Sequence, residues 1–248
     1  RTKEICEQYT KKNSKIKYFR NDANVGGRNF KIVADLSHGK YFMWAGDHDL
    51  WDSTLISKSV SILEEDPNVM LVHSNTQRID EFDNNKFVDS EKFDTRGMNL
   101  FSRYIIIISS LNNCSMFYGV FRKDCFQHMD YFQKVIGSDH LFLAEISLIG
   151  EIAHIDEPLF FRRDQRGVES IEQWQKRTIF NLDPQVCKKN YRKFLKKEYT
   201  NLCNEHIILL KKFKIKWYER IILQVNTIYI FNKRFKIKIL NSLYHIFL

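Results

Sequence analysis

Two aspartates separated by one residue, Asp47 and Asp49, follow directly after the apolar run Tyr41–Ala45. The apolar run predicts a buried strand, so the two carboxylates are expected where that strand ends. Ligands of open α/β sheets bind beyond the carboxyl ends of the strands. Carboxylates at such a position offer the hard oxygen ligands that Mg²⁺ or Mn²⁺ prefers, usually shared with substrate phosphates. The alternative interpretation is two solvated acids in a surface turn.

Other side chains near this pair could take part in the same chemistry. Alternation along an extended segment places His48 on the opposite side from the two acids, which favours a structural role. Trp51 could stack on a bound ligand, or could belong to the core. Arg28, Arg162 and Arg163 could offset diphosphate charge through paired hydrogen bonds, with a surface role as the alternative for each.

The elements that must position these residues alternate between strand and helix through the first 160 residues or so, and Gly39 and Gly150 each close a helix. This alternation predicts an α/β fold with a mostly parallel sheet flanked by helices. Predicted helices cover 2–12, 28–39, a segment after Asp52, 98–109 and 138–150, and predicted strands cover 15–21, 41–45, 68–74, a hairpin around 84–85, and two strands within 151–163.

The ordered run "YFRNDANVGGRNFKIVADLSHGKYFMWAGDHDLW" (18–51) resembles the central region of family 2 glycosyltransferases, which have the GT-A, Rossmann-like fold. The family pattern is an N-x-G loop, a helix ending in a small-residue turn, an apolar strand and then D-x-D. The similarity extends over roughly residues 1–165. The matching residues are Asn24, Gly26, Gly39, Tyr41, Asp47 and Asp49.

The resemblance implies roles for individual residues. Asp47 would contact the donor sugar nucleotide and Asp49, with Asp47, would hold Mn²⁺ or Mg²⁺. Asp139, at the start of the predicted 138–150 helix, would be the general base that accepts the proton of the acceptor hydroxyl. The alternative for Asp139 is a helix cap beside Ser138. Nucleotide-sugar contacts are further expected from Asn24, Gly26, Arg28 and Arg163, and an acceptor contact from Trp51.

The chain also departs from the family pattern. The first strand and the acidic turn after the second strand, which bind the nucleotide base in the family, are absent before residue 1, so the chain is expected to be truncated at its N-terminus. The chain has no Q-x-x-R-W motif of the processive synthases, which favours a single sugar addition. A shift in composition near residue 165 predicts a catalytic domain over 1–165 and a helical, basic amphipathic extension over 166–248.

Most of the net charge of +9 lies at the C-terminus, because residues 211–248 carry nine Lys or Arg and one acid, Glu219. One interpretation is a helical pair on the anionic inner leaflet of a membrane. The other is a subdomain packed on the catalytic body with a lysine-rich outer face. Nucleic acid is not an expected partner, because no nucleic-acid-binding fold is recognisable. Five cysteines without C-x-x-C spacing favour a reducing, cytoplasmic location.

The predicted activity is therefore metal-dependent, inverting transfer of a hexosyl or related sugar from a nucleotide-sugar donor to a hydroxyl of a glycan or lipid-linked acceptor. A role in envelope polysaccharide synthesis follows from the family resemblance alone. Two alternatives stay open: a metal-dependent nucleotidyltransferase, and a catalytically inactive fragment that binds a membrane or a partner protein.

Overall fold

A computed structural model describes residues 1–23, 25, 27–89, 91–129, 135–163, 173 and 191–235. The helices among them are α1 (Thr2–Lys12), α2 (Arg28–Leu36), α3 (Leu55–Glu65), α4 (Leu100–Ser110), α5 (Ser138–Ile149), α6 (Tyr191–Lys212) and α7 (Trp217–Phe235). The strands are β1 (Tyr41–Phe42), β2 (Leu50–Trp51), β3 (Val69–Ile79), β4 (Asn85–Asp89), β5 (Val120–Arg122) and β6 (Glu151–Arg163). Two 3₁₀ helices, Ser115–Tyr118 and Lys123–His128, flank β5.

The six strands form one sheet in the order β1-β5-β3-β6-β2, with β4 also paired to β3. The predicted α/β class is confirmed, but the prediction of a mostly parallel sheet is wrong for the described strands. Only β3 and β6 run parallel, and the other pairs are antiparallel. The β3–β4 pair is antiparallel because a short turn joins the strands, whereas parallel strands need a long crossover connection such as α5 supplies before β6.

Two strand predictions need correction. The apolar run 41–45 contributes only Tyr41 and Phe42 to the sheet, and 15–21 contains no strand. The two strands expected within 151–163 are a single strand, β6, whose register against β3 shifts where Ser74 pairs with Ile155 and Asn75 pairs with Pro158. The shift leaves an extra two-residue bulge in β6, which bends the strand without ending it.

The main core lies between one face of the sheet and the helices α4 and α5. Trp44 is buried there, stacked on Phe117 with ring centroids 4.4 Å apart, and its indole N–H donates to the carbonyl of Phe30 over 3.1 Å. The run 43–46 leaves the sheet after Phe42, and within it Trp44 is buried in the main core while Ala45 is exposed. The D-x-D turn that follows is therefore anchored by an aromatic cluster.

The C-terminal helices α6 and α7 pack on the same core. Leu210 of α6 and Leu223 and Phe231 of α7 are fully buried in the cluster that contains residues of α4 and α5. The described part of the extension is thus packed on the catalytic body, while the predicted boundary at residue 165 lies outside the described residues. Within the described part of the chain, no helix has the length and apolar character needed to cross a bilayer.

Candidate active site

Asp49 is a buried carboxylate at the end of the D-x-D turn, immediately before β2. The residue is 5% exposed, and its Oδ1 accepts a hydrogen bond from the backbone N–H of Arg163 at the end of β6 over 3.0 Å. This bond ties the turn to the carboxyl end of β6. A Cβ added to Gly46 would lie 3.0 Å from Asp49 Oδ2, so the glycine leaves space beside the second carboxylate oxygen.

Asp47 has the opposite environment. Its side chain is fully exposed, and Oδ1 lies 3.0 Å from His48 Nδ1. This hydrogen bond lowers the pKa of Asp47 below its ordinary value. His48 Nε2 also lies 3.8 Å from Asp49 Oδ1, so the imidazole contacts both acids. The expectation that His48 points away from the acids is wrong, because residues 47–48 form a turn in which side chains do not alternate.

The donor atoms of the turn suit a divalent cation. Mg²⁺ and Mn²⁺ are commonly held by one or two carboxylates, with waters and phosphate oxygens completing the shell. Asp47 and Asp49 supply two such carboxylates, and the space that Gly46 leaves beside Asp49 Oδ2 is compatible with an ion. The described residues contain no group of three or more His, Cys, Asp or Glu arranged for a metal, so substrate and water would supply the remaining ligands. The metal site stays a prediction.

Arg163, predicted to contact the nucleotide, is engaged by the protein itself. Its Nε donates to the carbonyl of His48 over 2.8 Å and its Nη1 to the carbonyl of Asp80 over 2.9 Å. Its Nη2 lies 2.5 Å from Asp83 Oδ1. These contacts join the D-x-D turn to the β3–β4 turn, so in this structure the guanidinium holds the two turns together.

Arg162 points instead to the other side of β6. Its Nη1 donates to Asn113 Oδ1 over 2.8 Å and to Ser115 Oγ over 3.1 Å. The charges of Arg162, Asp49 and Asp139 all act on the phenol of Tyr118. Burial raises the pKa of the Tyr118 phenol, the Arg162 charge opposes the rise, and the carboxylates of Asp49 and Asp139 add to it.

Asp139 lies in the first turn of α5, where the helix dipole stabilises a carboxylate. Gly137, with φ of 77°, occupies the N-cap position, and Asp139 Oδ1 accepts from the backbone N–H of His140 over 2.9 Å. Asp139 is therefore not the N-cap residue, but its carboxylate accepts a backbone N–H of the first turn, so the base role and the capping alternative both stay open. Burial, and after it the negative charge of Asp139, raises the pKa of the Cys114 thiol well above its ordinary value.

The remaining predicted residues are less central. Trp51 is partly buried, stacks on Phe160 with centroids 6.2 Å apart, and has a buried indole N–H without a hydrogen-bond partner among the described residues. It packs against a second core cluster, which includes Leu55, Leu63 and Ala153. Arg28 is exposed at the start of α2. Asn24 and Gly26 lie outside the described residues.

Sequence reasoning missed three residues that interact with Arg162 or with the charge of Asp139: Asn113, Cys114 and Tyr118. Asn113 accepts from Arg162, and Cys114 has an unusual positive φ of 28° that only a few non-glycine residues adopt. Their segment, "NNCSMFYG", carries no motif of known spacing. Only the fold brings the segment against Asp139 and β6.

Comparisons with known proteins agree with this architecture. Residues 1–128 match the model of the family described as Glycosyl transferase family 2. The structure resembles that of S. aureus TarS (residues 1–349) in complex with UDP-GlcNAc, with a TM-score of 0.61 and 11% identity over 94% of this chain. The same protein in complex with UDP gives a TM-score of 0.59, also at 11% identity, over 96% of this chain.

This chain spans 60% of the length of each TarS chain, and the low identity makes the likeness one of fold. A search of curated proteins returned no match. The family match covers more than half of the chain, includes the D-x-D turn, and ends before Asp139. On this match the chain belongs to glycosyltransferase family 2.

Proposed function

We propose that the protein transfers a sugar from a nucleotide-sugar donor to a hydroxyl acceptor. The observation that carries this proposal is the D-x-D turn in a chain of this family, whose buried Asp49 accepts a hydrogen bond from the backbone N–H of Arg163 at the end of β6. The fold likeness to TarS, solved with UDP-GlcNAc and with UDP, supports a nucleotide-sugar donor and makes uridine nucleotides the first to test.

The roles of the acids follow from their positions. Asp139 accepts the proton of the acceptor hydroxyl while that oxygen attacks the anomeric carbon, and the nucleoside diphosphate leaves from the opposite face, which inverts the configuration. A Mn²⁺ or Mg²⁺ ion held by Asp49 and Asp47 would supply stabilisation of the negative charge on the departing diphosphate.

The exposed part of the C-terminal extension suits an acceptor presented at a membrane. Four apolar residues of α7, spaced for one helical face, are exposed at 40% or more: Tyr218, Ile222, Val225 and Tyr229. Exposed lysines lie just before this helix, at 211, 212, 214 and 216. An apolar stripe beside a cluster of cations is the pattern that binds anionic lipid surfaces. We therefore include peripheral contact with the inner face of the cell membrane, and a lipid-linked acceptor, in the proposal.

Turnover of a donor panel tests the activity. The purified protein, with Mn²⁺, is incubated with UDP-, GDP- and dTDP-sugars, and the release of nucleoside diphosphate is measured with and without candidate acceptors. Asp139→Asn is expected to remove turnover while Asp124→Asn, an exposed acid in the second 3₁₀ helix, leaves it unchanged. Release of pyrophosphate from nucleoside triphosphates would favour the nucleotidyltransferase alternative. No product from any donor would contradict the proposal.

A further inference from the structure

The C-terminal end of α7 reaches back to the loop that borders Asp139. Arg234 Nη1 donates to the carbonyl of Ile108 over 2.5 Å, and Nη2 donates to the carbonyl of Leu111 over 2.6 Å and to Asn112 Oδ1 over 3.0 Å. The Ile108 and Leu111 carbonyls stand at the end of α4, where backbone acceptors lack helical partners. One guanidinium therefore caps α4 and holds the start of the loop 111–114, although it lies 120 residues away in sequence.

The acceptor side of the site is the side on which Asp139 lies, and the loop 111–114 borders it. The backbone N–H groups of Asn112 and Asn113 donate to Glu91 Oε1 over 2.6 and 2.8 Å. Asn113 Oδ1 accepts from Arg162, and the charge of Asp139 acts on the Cys114 thiol, whose pKa it raises. The backbone of Cys114 is in the left-handed region, with φ of 28° and ψ of 21°, a conformation that persists only where the surroundings enforce it.

A buried chain of hydrogen bonds links the same arginine to α5. Arg234 Nη1 lies 3.4 Å from His140 Nε2, and because a guanidinium only donates, this nitrogen accepts. The other imidazole nitrogen of His140 lies 3.2 Å from His206 Nε2, and His206 Nδ1 lies 3.2 Å from the Tyr104 hydroxyl. That hydroxyl is 3.2 Å from Thr227 Oγ1, which itself donates to the carbonyl of Leu223 over 2.8 Å.

With both histidines neutral, the groups at the two ends of this hydrogen-bond chain fix the direction in which each hydrogen bond along it is donated. Arg234 donates at one end, and Thr227 donates to a backbone carbonyl at the other, so every member between them has one partner on each side. The chain ties together α4, α5, α6 and α7 next to the first turn of α5, where Asp139 lies. The C-terminal helices α6 and α7 thus hold the two elements that border the acceptor side, which are the loop 111–114 and the first turn of α5.

We propose that Arg234 is a positioning residue for the acceptor side of the site, holding the loop 111–114 against Asp139 and Arg162. The inference rests on the proposed function for its catalytic consequence, but the placement of the loop can be measured without any substrate. The reporter is Cys114, a free and partly buried cysteine of this loop, whose thiol becomes more accessible if the loop is released.

The test compares Arg234→Gln and Arg234→Lys with Lys233→Gln, the exposed neighbour on the same helix. Each folded protein is treated with N-ethylmaleimide, and the modification of individual cysteines is followed by peptide mass spectrometry. Cys125, buried in the main core away from the loop, reports general loosening. Loss of several hydrogen bonds to a charged group predicts at least about tenfold faster labelling of Cys114 in Arg234→Gln, unchanged Cys125, and an intermediate rate in Arg234→Lys.

Unchanged labelling of Cys114 in folded Arg234→Gln, or a parallel rise at Cys125, would overturn the inference. With a donor that the wild type turns over, Arg234→Gln is expected to lower kcat by about tenfold. The KM for the donor stays within about twofold, because the donor acids Asp47 and Asp49 lie on a separate turn. A rise in donor KM with unchanged kcat would also overturn it. If the wild type turns over no donor, the proposed function fails, and the Cys114 comparison still decides whether Arg234 holds the loop.

Discussion

Acid should destabilise this protein steeply because histidines are buried in their neutral form. His73, on β3, is 4% exposed and contacts the carbonyl of Phe93 through Nε2 over 3.0 Å. Burial lowers the pKa of His73 to about 4; the neighbouring His154 ring, 4.8 Å away, adds to this, and the Phe93 carbonyl and Asp94 oppose it. Burial also lowers the pKa of His140 to about 3 and that of His206 well below its ordinary value.

The sign and size of the effect follow from proton linkage. With its folded pKa near 4 and an unfolded value near 6.5, His73 binds a proton only in the unfolded state between those pH values. Its stabilising contribution is complete above pH of about 6.5 and is lost as the pH falls towards 4. Between pH 7 and pH 5 the loss is about 2 kcal/mol for this one histidine. His140 and His206 act in the same direction, so the wild type should lose more than that amount.

Urea unfolding followed by tryptophan fluorescence at pH 7 and pH 5 measures the loss. His73→Gln keeps an N–H donor for the Phe93 carbonyl but cannot titrate, so its free energy of unfolding should fall by about 2 kcal/mol less than that of the wild type between the two pH values. His38→Gln, an exposed substitution, controls for the removal of a histidine in itself. Equal losses in the wild type and in His73→Gln would refute the reasoning.

Three further predictions concern stability and membrane contact. Arg163→Ala should lower the free energy of unfolding by about 2–4 kcal/mol in urea titrations, because the carbonyls of His48 and Asp80 lose a charged donor; a change below 1 kcal/mol would contradict this. Gly119→Ala should lower the free energy of unfolding by about 3 kcal/mol in the same assay, because the added Cβ would lie 2.4 Å from the Val72 carbonyl oxygen. Gly27→Ala is the control and should leave the free energy of unfolding unchanged, because nothing lies within 4 Å of its added Cβ. Co-sedimentation with vesicles that contain phosphatidylglycerol should exceed co-sedimentation with neutral vesicles and should weaken at high salt. The bound fraction should fall about tenfold in the double variant Tyr218→Asp/Tyr229→Asp. It should not fall in Phe82→Asp, which replaces an exposed aromatic residue on the β3–β4 turn. Equal binding to neutral vesicles, or a loss in Phe82→Asp as well, would contradict the lipid contact.

Sequence patterns predicted the features that depend on local chemistry. The periodicity of α5, its closing Gly150 and the hairpin between β3 and β4 were all visible in the order of residue types. The family pattern around Asp47 and Asp49 also pointed to a site at the end of an apolar segment. The helix, its closing glycine and the hairpin are confirmed, because each depends on contacts within a few residues, whereas the site stays a prediction.

Features set by long-range contacts could not be predicted. Only Tyr41 and Phe42 of the apolar run 41–45 pair with a strand, and no local signal distinguishes these two from the rest of the run. Arg163 resembled a ligand of a diphosphate, yet its partners are carbonyls of two distant turns. Arg234 belongs to the basic segment 211–248, whose composition suited a lipid surface. Only the packing of α7 on α4 places this arginine beside the site.

Calorimetric titration with nucleoside diphosphates tests the donor site most directly. Wild type and Asp49→Asn are each titrated with UDP, GDP and dTDP in the presence and absence of Mn²⁺. The asparagine oxygen can still accept the backbone N–H of Arg163, so the substitution removes charge while keeping that contact. The account predicts metal-dependent binding of one nucleotide by the wild type and its loss in Asp49→Asn. Binding that ignores both the metal and Asp49, or no binding at all, would contradict it.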